Sequence, residues 1–124
     1  MQVVRTERAP LPIASYSQAI RAGDFLFISG QVGMDPKTKT IANGIEAQTE
    51  RALENMKSIL EAAGLPLTKL VKVTVFLADM KDFKRMNDVY GTYFRRNPPA
   101  RTTVQAQLPV TGAVIEIDAI ACSV

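Results

Sequence analysis

The chain has 124 residues, 47% of them hydrophobic and 22% charged, with a formal net charge of +3. That length holds one modest core, and the balance is that of a globular chain rather than a disordered or collagenous one. There is no His, which excludes Ser-His-Asp and Cys-His catalysis, His-based proton shuttling and most transition-metal sites. Chemistry falls to Glu, Asp, Arg, Tyr, Ser, Thr, water and backbone groups.

The basic residues are scattered rather than massed, and no Trp is present, so the chain lacks the charged, aromatic-studded face that makes a nucleic-acid partner plausible. The apolar runs fall short of the roughly 18 residues that span a bilayer. Residues 1–20 carry no signal-peptide pattern, and the lone Cys122 has no partner for an internal disulfide. The expectation is a cytoplasmic protein without a membrane partner.

In chain order, "VVR" (Val3–Arg5) reads as an edge strand, Pro10 and Pro12 break the next stretch, and "YSQAI" (Tyr16–Ile20) resumes it before the "RAGD" turn. "FLFIS" (Phe25–Ser29) is aromatic and β-branched and ends at Gly30. "DPKTK" is a turn with Pro36 at its second position. From Ile45 to Ala63 the apolar period becomes helical, and Gly64 stands where a left-handed cap belongs. "LVKVTVFL" (Leu70–Leu77) predicts a well-covered strand with Val71, Val73, Val75 and Leu77 on one face. Asp79 is placed to cap a second helix whose buried stripe runs from Phe83 through Met86, Val89, Tyr90 and Tyr93 to Phe94, ended by Asn97-Pro98-Pro99. Two alternating runs close the chain, Arg101–Leu108 and Val114–Ala121, separated by "PVTG". One helical layer on one mixed sheet is the simplest packing of this order.

Alternation also assigns faces. Arg101 and Thr103 fall on the polar side of their strand, with Thr102, Val104, Ala106 and Leu108 toward the core. In the last strand Ile115, Ile117, Ala119 and Ala121 face the core and leave Glu116 on the other side. Phe25 and Phe27 on the same kind of open face point to self-association. Taken from the residues alone, Arg101 and Glu116 read equally as a salt bridge or two solvated charges, Asn87 as a helix-facing amide, and Ser29-Gly30 as a plain strand end.

The segments "TERAP", "YSQAI", "FLFISGQV", "QTERALENMKSILEAAGL", "VKVTVFLADMKDF", "MNDVYGTYF", "PARTTV" and "IEIDAIA", in this order, resemble the RidA family, also called the YjgF family. The resemblance spans residues 1–124 as a single RidA-like domain. It implies a chorismate-mutase-like α+β fold, one mixed β-sheet with two helices packed on one face, assembled as a homotrimer with clefts between neighbouring subunits. It places the last strand between the strand ending at Ser29-Gly30 and Leu70–Leu77. Arg101 and Glu116 would then stand two strand spacings apart, roughly 10 Å, with room for a small ligand between their tips.

The activity implied is hydrolysis of 2-imino or enamine acids, such as 2-iminobutanoate and 2-iminopropanoate, to 2-oxo acids and ammonia, with no cofactor or metal. Arg101 would hold the substrate carboxylate and Glu116 would position or activate water, while Tyr16, Ser29, Gly30, Asn87 and Thr103 match cleft positions. Two departures stand out. Ala14-Ser15 precedes Tyr16 where many members have Gly-Pro, and Thr103 stands where many have Cys, which argues against thiol chemistry. A non-catalytic metabolite-binding or chaperone-like trimer would use the same cleft. An endoribonuclease or translation inhibitor would need an acid–base pair and phosphate neutralisation that a chain without His supplies poorly.

Overall fold

The computed structural model describes residues Met1–Val124. The chain folds as β1 (Gln2–Val4), β2 (Ala19–Ala22), β3 (Phe25–Val32), α1 (Ile45–Ala62), β4 (Leu70–Leu77), α2 (Phe83–Tyr93), β5 (Ala100–Gln105) and β6 (Ile115–Cys122). All six strands form one mixed sheet in the order β1-β2-β3-β6-β4-β5, and both helices pack on one face. This is the α+β architecture expected.

Local chemistry explains the boundaries. β2 and β3 form a hairpin in which Ala22 pairs with Phe25, and Gly23 supplies the positive φ of 60° that its tight turn requires. At the end of α1 the Gly64 amide donates to the Glu61 carbonyl and the Leu65 amide to the Leu60 carbonyl, each at 2.9 Å. Gly64 takes φ 76° to allow it, the left-handed cap the sequence predicts. Asp79 does cap, but what it caps is a short tight turn, Met80–Asp82, that leads into α2.

β4 and β5 are parallel, with α2 as their crossover; β6 runs antiparallel to both β3 and β4 and lies between them. β6 therefore spends both edges on pairing. Its residues Ile115, Ile117, Ala119 and Ala121 are buried against the helices together with Leu53, Met56, Ile59 and Leu60 of α1 and Met86 and Tyr90 of α2. Each buried Leu, Ile or Met side chain contributes about 1.5–3 kcal/mol, which makes this stripe the main source of sheet–helix cohesion.

Five expectations need correcting. β3 does not end at Gly30 but continues to Val32 through a bulge: Ile28 pairs with Ala119 and Gln31 with Ile117, so Ser29 and Gly30 together stand opposite one residue. A second irregularity between Leu70 and Lys72 turns Leu70 inward and leaves Val71 44% exposed. The α2 stripe is narrower than expected, because only Met86 and Tyr90 are fully buried and Phe83 is exposed. The faces of β5 are reversed: Arg101 pairs with buried Val73 and Thr103 with buried Val75, so both lie on the helix side, while Val104 is exposed on the open side. β5 also stops at Gln105 rather than Leu108. As the outermost strand, it lies where the helix layer runs out, so polar residues tolerate its inner face.

Three buried amides hold the irregular backbone. Gln18 accepts from the Thr6 amide and donates to the carbonyls of Thr6 and Pro10, tying down the segment before Tyr16. Asn55 donates to the carbonyls of Val32 and Met34 beyond the bulge. Gln48 donates to the Gly112 carbonyl at 3.0 Å and accepts from the Val114 amide at 2.8 Å, fixing the entry to β6. Alongside it, Gly33 lies so close to α1 that a Cβ there would come 2.6 Å from Gln48 Cα. Gln48→Ala leaves the Gly112 carbonyl and the Val114 amide, both only part-buried, without this partner, a loss of about 1 kcal/mol. Urea denaturation should show a loss of that size, and an unchanged midpoint would mean the entry to β6 is held by other contacts.

Candidate active site

Arg101 lies across α2. Its guanidinium carbon sits 4.7 Å from the Tyr90 ring centroid and 5.5 Å from that of Phe83, and Nη1 donates to Asn87 Oδ1 at 2.8 Å. Helical spacing of four and three residues puts Phe83, Asn87 and Tyr90 on one face of α2. The aromatic faces attract the cation, and the amide oxygen fixes its rotation. Asn87 is neutral, however, and none of the chain's ion pairs involves Arg101. The side chain is thus held in place with its charge uncompensated and several donors free, the state in which a guanidinium takes a planar carboxylate through two parallel bonds. Thr103 follows on the same face.

Glu116 is on the other side of the sheet. It pairs with Phe76 of β4 and Val32 of β3, and its side chain lies over the bulge. A Cβ at Gly30 would stand 2.5 Å from Glu116 Oε2 and 2.7 Å from Cδ, so the absence of a side chain at Gly30 makes the space the carboxylate occupies. Tyr16, Ser29, Gly30 and Glu116 line one pocket of about 340 Å³, whose remaining wall is largely apolar, with Leu11, Ile13, Val32 and Met34 among its residues. Partial burial raises the Glu116 carboxyl above its usual value, and the negative charge of Asp118 adds to this. Ser29 Oγ donates to the Ser17 carbonyl at 2.6 Å, which leaves that hydroxyl to act as an acceptor. Tyr16 is held by a tight turn in which its amide donates to the Ala14 carbonyl at 2.9 Å.

The seven residues singled out from the sequence therefore form two groups, Arg101 with Asn87 and Thr103 on the helix side, and Glu116 with Tyr16, Ser29 and Gly30 on the open side. The expectation that Arg101 faces away from the helices is overturned by its register with Val73 and its stacking on α2. A ligand cannot bridge Arg101 and Glu116 within one chain, since the sheet lies between them. Pro109 and Val110 of the "PVTG" segment also line the Glu116 pocket; in the sequence that segment reads as a connection, and no local pattern marks it as a wall.

One mixed sheet with two helices on a single face, opened by a bulge beside a half-buried carboxylate, defines a small α+β protein with its site groups divided between the two faces of the sheet. A family model described as endoribonuclease L-PSP matches residues 6–123, and the chain belongs to that family, the YjgF/RidA family. It is 54% identical over 121 residues to a RutC family protein of Pyrococcus horikoshii, covering 97% of this chain and 96% of the relative. A 2-iminobutanoate/2-iminopropanoate deaminase of Rattus norvegicus is 43% identical over 121 residues, 97% of this chain and 88% of that protein. Among solved structures, E. coli TdcF with bound serine superposes with a TM-score of 0.94 at 37% identity, covering 98% of each chain.

The raised carboxyl of Glu116 has a measurable sign. A carboxyl that binds its proton more tightly folded than unfolded adds stability below the ordinary value of 4.5, and that stability is lost as pH rises through the folded value. Glu116→Gln stays neutral throughout. Urea denaturation should find this variant more stable than wild type at pH 7, with the advantage shrinking as pH falls below 4.5. An equal difference at both pH values would mean that the effect is packing rather than ionisation.

Proposed function

We propose that the chain hydrolyses 2-imino and enamine acids to 2-oxo acids and ammonia, in sites that each combine the Arg101 side of one copy with the Glu116 pocket of another. The observation that carries this reading is Arg101: an arginine stacked on two rings, hydrogen-bonded to neutral groups, and lacking any carboxylate partner. The deaminase names among the relatives supply the substrate class, and serine in TdcF carries the same α-carboxylate.

The chemistry asks little of the protein, because an imine is already electrophilic. Arg101 binds the carboxylate and sets C2 in place. Water attacks C2, the C=N π pair moves to nitrogen, and Glu116 takes a proton from the water. The same carboxyl returns that proton to nitrogen, giving a carbinolamine, and then carries the new hydroxyl's proton to nitrogen as well; the oxygen pair forms C=O, the C–N bond breaks, ammonia leaves, and the 2-oxo acid remains. A carboxylate with a raised pKa suits both directions of transfer. Thr103 beside Arg101 offers a hydroxyl in place of a thiol, and the reaction calls for no protein nucleophile.

Opposite faces support the shared site, and so does the open side of the sheet. Phe25 and Phe27 are 45% and 46% exposed with ring centroids 6.4 Å apart, and Val104 lies exposed on the same side. A second copy would remove that apolar surface from water. The assembly proposed is the homotrimer implied by the family, with each cleft between neighbouring copies.

Added to a threonine dehydratase reaction, the protein should accelerate 2-oxobutanoate release beyond spontaneous hydrolysis, and Arg101→Ala should abolish the effect while Glu116→Gln retains carboxylate binding without turnover. No acceleration by wild type sinks the deaminase reading; binding of 2-oxo or amino acids without turnover would favour a metabolite-binding protein, and cleavage of added RNA a nuclease. Light scattering should give about three times the 13.6 kDa chain mass.

The shared site predicts complementation. Arg101→Ala and Glu116→Gln chains, each inactive alone, should regain about a quarter of wild-type activity when unfolded together and refolded at equal amounts, because random assembly leaves that fraction of clefts with both groups intact. Inactive mixtures that still assemble would place both groups in one chain's site.

A further inference from the structure

Every buried side-chain nitrogen and oxygen in the chain has a hydrogen-bond partner except one, the hydroxyl of Tyr90. The residue is only 4% exposed and its ring stacks against Phe94 with centroids 4.6 Å apart, so rotation toward water is blocked. The same ring lies beneath the Arg101 guanidinium. A buried hydroxyl without a partner is costly, and a Phe would pack the same space without that cost.

We propose that the Tyr90 hydroxyl is a substrate-binding group, left unpaired in the free protein so that its O–H can donate to the carboxylate that Arg101 receives. Arg101 is a donor only, so it can meet the phenol oxygen but cannot take the phenol's proton, and the O–H is the half of the group left without an acceptor. A carboxylate docked on the guanidinium brings acceptor lone pairs to this side of α2, and Tyr90 then gains the partner it lacks. Burial keeps the phenol protonated, against the opposing pull of the Arg101 charge and of its hydrogen bond to the phenol oxygen, so the donor is present at neutral pH. Asn87 already occupies Nη1 of Arg101 through its oxygen, and the hydroxyl adds a contact from beneath, fixing the orientation of the bound carboxylate. The free protein thus gives up stability at Tyr90 for affinity in the complex.

This inference rests on Arg101 as the carboxylate site, and the test separates the two. Binding of 2-oxobutanoate is followed by NMR titration for wild type, Arg101→Ala and Tyr90→Phe, alongside thermal unfolding of the ligand-free proteins. Arg101→Ala should lose binding. Tyr90→Phe should weaken it about ten- to a hundredfold, the size of one hydrogen bond to a charged group, and should melt roughly 2–5 °C higher, because a buried O–H without an acceptor has been removed. A structural hydroxyl would show the opposite sign in the melt. Full affinity in Tyr90→Phe, a lower melting temperature, or a loss of assembly in that variant overturns the role of Tyr90. If Arg101→Ala binds as well as wild type, the carboxylate site itself is misplaced, and Tyr90 with it.

Discussion

The seating of β6 between β3 and β4 is the constraint on which the other features of this structure rest. A last strand that arrives antiparallel to two parallel neighbours must be apolar on its helix face along its whole length, and Ile115, Ile117, Ala119 and Ala121 meet that demand. Its other face is then free to carry charge at a fixed register, which is how Glu116 comes to lie over Gly30. The same insertion moves β4 and β5 outward, so Arg101 becomes an edge-strand residue at the limit of the helix layer. One topological step thus sets the carboxylate and the guanidinium on opposite sides of the sheet.

Bulge and amide together make that seating possible. Two residues of β3 opposing one of β6 relieve the register just where Glu116 needs room, and Gly30 supplies the room by having no Cβ. Past Val32 the backbone departs from ladder pairing, and Asn55 takes up the carbonyls of Val32 and Met34. Gln48 serves the same purpose at the entrance to β6. Amides at these points are neutral and can donate and accept at once, which a charged side chain could do only with a heavier desolvation cost.

How much of this is readable from the residues depends on how tightly each element is enclosed. β6 is covered on one face and paired on both edges, so its alternation leaves no freedom and assigns its faces correctly. β5 is an edge strand on which Thr102 and Val104 lie outward and Arg101 and Thr103 inward, against the usual polarity; alternation there reports a second, open apolar face, and read as a core signal it gives the wrong side. The slips at Ser29–Gly30 and Leu70–Lys72 change which residue faces in without changing composition, so no period reveals them. Gln18, Gln48 and Asn55 look like surface amides until the backbone they serve is in view. The grouping of Arg101 with Asn87 comes from the family resemblance: they lie 14 residues apart on consecutive elements, but no period runs across the turn from α2 to β5 to bring them together.

A chain can be stable with its site groups paired among themselves, and the bland alternative for Arg101 and Glu116 is such a pair. The structure departs from it at three points. Arg101 keeps its charge unpaired, Glu116 is pushed toward neutrality by burial and Asp118, and the Tyr90 hydroxyl is buried without a partner. Each is unfavourable to the isolated chain, and each is relieved by something from outside: an anion, a proton exchanged with a reacting water, an acceptor oxygen. Two of the three meet at one spot on α2, and an α-carboxylate is the smallest common ligand that satisfies both.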